Sequence, residues 1–185
     1  MKKLLYLFLA VLIVACSTDD NNNVPANCDV VYLDANGVTI KACPDAEVGV
    51  TGEVNGVTYT VVDEDMLREM IGSGGDVTKT ATTKVTDMFF MFKENESFNQ
   101  DISSWDVSNV TNMFFMFKGA VNFNQDISRW DVSKVTDMSY MFEETFVFNQ
   151  DLSAWNVTNV TNCEDFSYGT TVWILPQPNF TNCTP

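Results

Sequence analysis

The apolar positions in the second half of the chain recur every 25 residues. Val85, Val110, Val135 and Val160 share one register. Met88, Met113 and Met138 share another, with Cys163 in the fourth place. Phe92, Phe117 and Phe142, then Phe98, Phe123 and Phe148, then Trp105, Trp130 and Trp155 follow at the same interval. The phrase Phe-Asn-Gln-Asp stands intact at residues 98–101, 123–126 and 148–151. Self-similarity at a fixed period of this size marks an array of stacked units, each unable to bury its apolar face alone.

Within one unit, Ile102, Trp105 and Val107 match the opening of a leucine-rich repeat. Alternation over a short strand there sends Trp105 and Val107 inward and Asp106 outward. Residues 110–117 then carry apolar side chains three and four apart, which is helical spacing. A threonine and an asparagine or aspartate precede each methionine, as at Thr111-Asn112 and Thr136-Asp137, the residue types of a helix start. The expected fold class is an α/β repeat solenoid, leucine-rich-repeat-like, with one short strand and one short helix per repeat. A β-hairpin/helix N-terminal cap is expected to precede it.

That cap is read from turn signals. Residues 30–33 and 38–42 flank Asp34-Ala35-Asn36-Gly37, and residues 53–62 hold Asn55-Gly56 at their centre, two hairpin patterns. Asp63 then caps a helix through Ile71, ended by Gly72. At the far end the fourth unit departs from the pattern. Pro176 and Pro178 forbid another regular strand, and Trp173 takes the register of Phe148, so a C-terminal cap is expected.

The N-terminus reads as an address. Lys2 and Lys3 precede an apolar run over residues 4–14, shorter than the roughly 20 residues of a membrane span but fitting a secretory signal. The run ends in Ile13-Val14-Ala15-Cys16, which resembles the lipobox of bacterial lipoproteins. That resemblance implies cleavage before Cys16 and lipidation of Cys16; an ordinary signal peptide with an incidental cysteine is the alternative. Acyl chains, at about 0.8 kcal/mol per buried CH₂, would make such anchoring permanent. Residues 17–27 are polar and aperiodic, a tether. Asp19-Asp20 resembles the acidic export signal of surface lipoproteins in Bacteroidetes, which implies the outer face of the outer membrane over the periplasmic face. The expected organisation is a lipoprotein signal peptide at 1–15, lipidated cysteine and tether at 16–27, N-terminal cap at 28–80, and repeat solenoid with C-terminal cap at 81–185.

Cysteine usage agrees with export. Setting Cys16 aside leaves Cys28, Cys43, Cys163 and Cys183 in two sequence-local pairs. Of the three possible connectivities the local one, Cys28–Cys43 and Cys163–Cys183, is expected in an oxidising compartment. Closing each loop stabilises by about 3 kcal/mol in the chain-entropy account. A metal site is the competing reading of these cysteines, and the absence of histidine and of a CxxC spacing opposes it.

Charge and composition narrow the function. The formal net charge is −15, which opposes nucleic acid or an anionic membrane surface as partner. No histidine is present, so Ser-His-Asp, Cys-His and His-zinc chemistry is excluded. The repeated Asp101, Asp126 and Asp151 would form a carboxylate column if identical residues stack about 4.8 Å apart. Calcium is one reading of that column. The other, which we favour, is that aspartate and asparagine satisfy turn amides, with Asn99, Asn124 and Asn149 as an amide ladder. Carboxylates that recur as structural copies do not point to catalysis. We therefore expect no enzyme, no cofactor and no metal.

Two surfaces are candidates for a ligand. The first is the outward side of the expected strands, a concave polar face that includes Ser104, Asp106, Arg129, Asp131 and Asn156 and suits protein or glycan hydrogen bonding; a merely solvated strand face is the alternative. The second is Phe89, Phe90, Phe114 and Phe115, too many rings for one buried helical stripe. Burial of these under the N-terminal cap is the expectation.

The units at residues 110–133 and 135–158 resemble the repeats of BspA-like leucine-rich-repeat surface proteins of Bacteroidetes and mycoplasmas. The flanks at 55–71 and 175–183 resemble segments that border such arrays. The resemblance implies a lipid-anchored surface protein that adheres to host, matrix or other-cell proteins or glycans, and it brings no catalytic residues; a monomer is expected. A structural envelope display protein with no specific ligand is the alternative function.

Overall fold

The computed structural model describes residues 24–185. Cys16, the signal sequence and most of the tether lie outside the described residues. Two hairpins come first. β1 (Val31–Leu33) pairs antiparallel with β2 (Ile40–Ala42), and β3 (Thr51–Val54) pairs antiparallel with β4 (Val57–Val61). Asn55 and Gly56 turn the second hairpin at φ 52° and 80°, the doubly left-handed turn whose twist matches the flanking strands. β5 (Thr80–Ala81) adds to β4 in parallel and leads into the repeats. Between them α1 (Glu64–Gly72) starts at Asp63, whose side chain accepts from the Met66 N–H at 3.0 Å.

The repeats are not the α/β solenoid that the spacing predicts. α1 is the only helix among the described residues, and it precedes the 25-residue units. The chain is a small, mostly β domain with two small sheets and one helix, continued by units built from turns. Where helical spacing predicts a helix, the N–H groups of Met88, Phe90, Phe92 and Glu94 leave their own segment. They donate to the carbonyls of Asn112, Phe114, Met116 and Lys118 in the next unit, at 3.0, 3.1, 2.8 and 2.7 Å. A helix would return each of them to a carbonyl four residues back. The backbone shows the break: Phe90 and Glu94 are left-handed, both at φ 58°. Such residues stop a right-handed helix at once. The intervening N–H groups of Met91, Lys93 and Asn95 close tight turns three residues back. Three-residue turns also return side chains to one side, which is why Met88, Met91 and Phe92 are buried with helix-like spacing.

This ribbon repeats. Left-handed residues recur at Phe115 and Gly119, Tyr140 and Glu144, and Asp165 and Gly169. The second member of each pair alternates between glutamate and glycine, and glycine takes that conformation without a Cβ penalty. The predicted strand over residues 102–107 is also absent. Tight turns replace it, with Trp105 N–H on Ile102 O and Val110 N–H on Val107 O. Strand-like pairing in the units shrinks to single parallel bridges linking Asp87, Asn112, Asp137 and Asn162.

One continuous core runs through the units. Trp105, Trp130 and Trp155 stack at 6.4 Å between rings, and Phe98, Phe123 and Phe148 at 5.8 Å. Each buried tryptophan Nε1–H finds a carbonyl in the preceding unit, such as Ile102 for Trp130 at 3.2 Å. A second, smaller core lies between the hairpins. β2 docks onto the units through Ile40 N–H to Ser104 O and Ala42 N–H to Thr83 Oγ1, both at 2.8 Å. Cys28–Cys43 and Cys163–Cys183 are bonded, with Cα atoms 5.8 and 5.9 Å apart.

Candidate functional site

The concave polar face of the sequence reading is divided by the first hairpin. Ser104 is half-buried, with its carbonyl held by β2. Asp106 is 2% exposed. Its Oδ1 accepts from the Ser108 N–H and hydroxyl at 3.1 and 2.6 Å, and its buried Oδ2 has no partner among the described residues. Asp34, Asn36, Thr39 and Lys41 of the first hairpin line the same small cleft, and Lys41 pairs with Asp34 at 3.7 Å. Burial, then the carboxylates of Asp34 and Asp106, push the Tyr32 hydroxyl above its ordinary value. Arg129, Asp131 and Asn156 are exposed. Asp131 and Asn156 spend their Oδ1 atoms on turn N–H groups of Ser133 and Thr158. The structure therefore does not gather these five residues on one open face, because the hairpin covers the first two.

The repeated carboxylates are likewise turn-builders. Asp101, Asp126 and Asp151 accept from the N–H groups of Ser103, Ser128 and Ser153 at 2.9–3.0 Å. The hydroxyl and N–H of the following serine lower Asp126 and Asp151 below the usual carboxylate range. Among the described residues, no group of three or more His, Cys, Asp or Glu is placed to hold a metal ion. The asparagines of the same phrase do form a ladder. Asn99 Oδ1 accepts from the Asn124 N–H, and Asn124 Oδ1 from the Asn149 N–H, at 3.0 and 2.9 Å. The glutamines brace it, with Gln125 and Gln150 donating to the same two oxygens.

The phenylalanine pairs are where the structure places an accessible apolar feature. They are not buried under the N-terminal cap. The left-handed ribbon turns Met88, Met91 and Phe92 into the core and leaves the two positions between them outside. Phe89 is 37% exposed, and Phe90, Phe114, Phe115 and Tyr140 are half-buried. Their rings form a continuous run along the units, with Phe89 on Phe114 at 5.7 Å, Phe90 on Phe115 at 5.1 Å and Phe115 on Tyr140 at 4.7 Å. Lys93 lies 4.7 Å from the Phe90 ring centre, and Lys118 lies 5.0 Å from that of Phe115. Lys93 also meets Glu94 at 3.5 Å, and Lys118 pairs with Glu143. At the N-terminal end Arg68 of α1 donates to Phe89 O at 2.9 Å.

Lys93, Lys118 and Tyr140 were missed as site residues at the sequence level. The two lysines stand one repeat apart, and that spacing was a usable signal. Arg68 gave none, since nothing in its local sequence links it to Phe89.

A family model described as "Mycoplasma protein of unknown function, DUF285" matches residues 64–173. The chain belongs to this family. The match opens at the first residue of α1 and closes at Trp173, so it takes in α1 and the aromatic run of this DUF285 chain. No curated protein and no solved structure matches it. Among the described residues, no helix is long and apolar enough to cross a membrane.

Proposed function

We propose that this DUF285 chain is a binding module displayed at the cell surface, and that its contact face is the run of Phe89, Phe90, Phe114, Phe115 and Tyr140 with Lys93 and Lys118. One observation carries this reading. Five partly exposed rings and two ammonium groups line up on a protein whose formal net charge is −15. Aromatic side chains bring large contact area at low entropic cost, and they dominate the energetics of protein interfaces. The partner of this reading is a protein that presents an apolar patch edged by carboxylates. The BspA-like resemblance, with lipidation at Cys16 and anchoring in the outer membrane facing outward, supplies the setting.

The test is binding of the purified protein to arrays of matrix proteins and glycans. The variant Phe89→Ser with Phe114→Ser is suited to it, because Ser139 already occupies the same place in the third unit. We expect about tenfold weaker binding to any protein ligand found, with an unchanged circular dichroism spectrum. If Arg129→Glu with Asp131→Ala abolishes binding while the serine variant binds normally, the contact face is the polar one. If nothing on the arrays binds, display without a specific ligand replaces this reading. Release of the protein from cells by Cys16→Ala checks the anchor, and protease shaving of intact cells checks which way it faces.

A further inference from the structure

The last unit ends the ribbon with its donors unspent. In the third unit, the N–H groups of Tyr140, Phe142 and Glu144 donate to the carbonyls of Glu164, Phe166 and Tyr168, each at 2.8 Å. The equivalent donors one unit on are Asp165, Ser167 and Gly169, and no described residue accepts from them. The ribbon is nonetheless preformed there, since Asp165 and Gly169 keep the left-handed conformation at φ 48° and 77°. The C-terminal segment closes most of this end and touches the edge through side chains, with Ser167 Oγ donating to Gln177 Oε1 at 3.3 Å and Cys163 bonded to Cys183, but it accepts from none of the three N–H groups. Ile174 and Leu175 N–H groups reach Asn149, Asn182 reaches Thr158 O, and Phe180 packs on Phe166. A groove lined by Asp165, Phe166, Ser167, Tyr168, Gln177 and Pro185 runs beside the open donors. At the opposite end Arg68 and Glu64 occupy the ribbon's polar groups.

We propose that this edge is an addition site for a segment of another polypeptide, which pairs with it as each unit pairs with the next. The occupant is specified by the existing seam: alternate carbonyls facing Asp165, Ser167 and Gly169. Glu164 and Asp165 are exposed, so its side chains opposite them are lysine or arginine. Tyr168 and Val172, 65% and 47% exposed, add an apolar border. A second copy of this chain is not the occupant proposed, because at its complementary edge Arg68 of α1 already holds the Phe89 carbonyl. Edge addition of this kind draws affinity from main-chain hydrogen bonds and selectivity from the flanking side chains. The proposal stands on a different surface from the aromatic run, so either can fail alone.

The test uses the whole protein and a capped synthetic peptide of residues 112–121 carrying Phe114→Lys and Phe115→Lys. In register, those lysines fall opposite Glu164 and Asp165. Amide hydrogen exchange is followed by NMR, with the same peptide carrying glutamate at both places as control. We expect the amides of Asp165, Ser167 and Gly169 to exchange about tenfold more slowly with the lysine peptide, and the glutamate peptide to bind several-fold more weakly. Glu164→Gln with Asp165→Asn, which keeps a residue tolerant of the left-handed conformation, brings the two peptides to roughly equal affinity. Unchanged exchange at these amides at millimolar lysine peptide overturns the proposal, whether or not the peptide binds elsewhere. Slow exchange without peptide, together with a doubled mass in sedimentation, also overturns it and makes a second copy the occupant.

Discussion

Asn124→Ala tests the claim that the recurring Phe-Asn-Gln-Asp phrase is a device for joining units. Asn124 Oδ1 accepts from the Asn149 N–H and from Gln150 Nε2, both at 2.9 Å. Alanine removes both bonds. Each contributes on the order of 1 kcal/mol net. Gln150 Nε2 keeps its bond to the Asn124 carbonyl at 2.9 Å, and the half-buried site lets water reach the Asn149 N–H, so part of the loss is recovered. The expected cost is about 1–2 kcal/mol, which for a chain of this size lowers Tm by roughly 2–8 °C. Asn124→Asp is the informative partner, because a carboxylate keeps an acceptor where the amide oxygen was. It is expected to lose less than half as much as alanine. The measurement is equilibrium urea unfolding at neutral pH with both disulfides intact, comparing midpoints at constant m. A cost below about 0.5 kcal/mol for alanine, or equal costs for alanine and aspartate, would refute the reasoning. The phrase would then recur for a reason other than acceptance by Asn124.

Two other outcomes follow from the same contacts. Glu64 receives the Thr86 N–H and hydroxyl at 2.6 and 2.8 Å and the Asp87 N–H at 3.2 Å, closing the polar edge of the first unit. Burial works to raise its carboxyl, but the bonds from Thr86 and Asp87 together outweigh burial and hold it below the usual glutamate value. A depressed folded value means stability that is present above the unfolded value and is lost as pH falls through the folded one. Acid titration of Tm is therefore expected to drop more steeply for the wild type than for Glu64→Gln, and parallel curves would count against the cap. Trp130→Phe removes the Nε1–H that meets Ile102 O and leaves space in a stack where Trp130 is 4% exposed. It is expected to cost roughly 2–4 kcal/mol in urea unfolding, and a cost under about 1 kcal/mol would show that the indole is not held as described.

The sequence by itself determined the period, the core positions of the repeat, the turn of the second hairpin and the start of α1. A 25-residue repeat of valine, methionine, phenylalanine and tryptophan can be satisfied only by stacking, and those residues are the buried ones. Asn55-Gly56 and Asp63 act through their own backbone, so the second hairpin and the start of α1 were readable locally. The local cysteine pairs were legible for the same reason: each closes a short loop. The conformation of the units was not legible. Apolar side chains three and four apart suit a helix and a ribbon of three-residue turns equally, and Phe90, Phe115 and Tyr140 are residues for which a left-handed backbone is unusual. They adopt it because their N–H groups gain carbonyls in the next unit, a bond that exists only once the units are stacked. The same tertiary contact explains the sites. Nothing near Ser104 or Asp106 announces that β2, more than sixty residues earlier, covers them, and nothing near Phe114 announces that its ring stays at the surface. Burial pattern is a property of side-chain chemistry along the chain; which backbone groups meet across 25 residues is decided only by the stack.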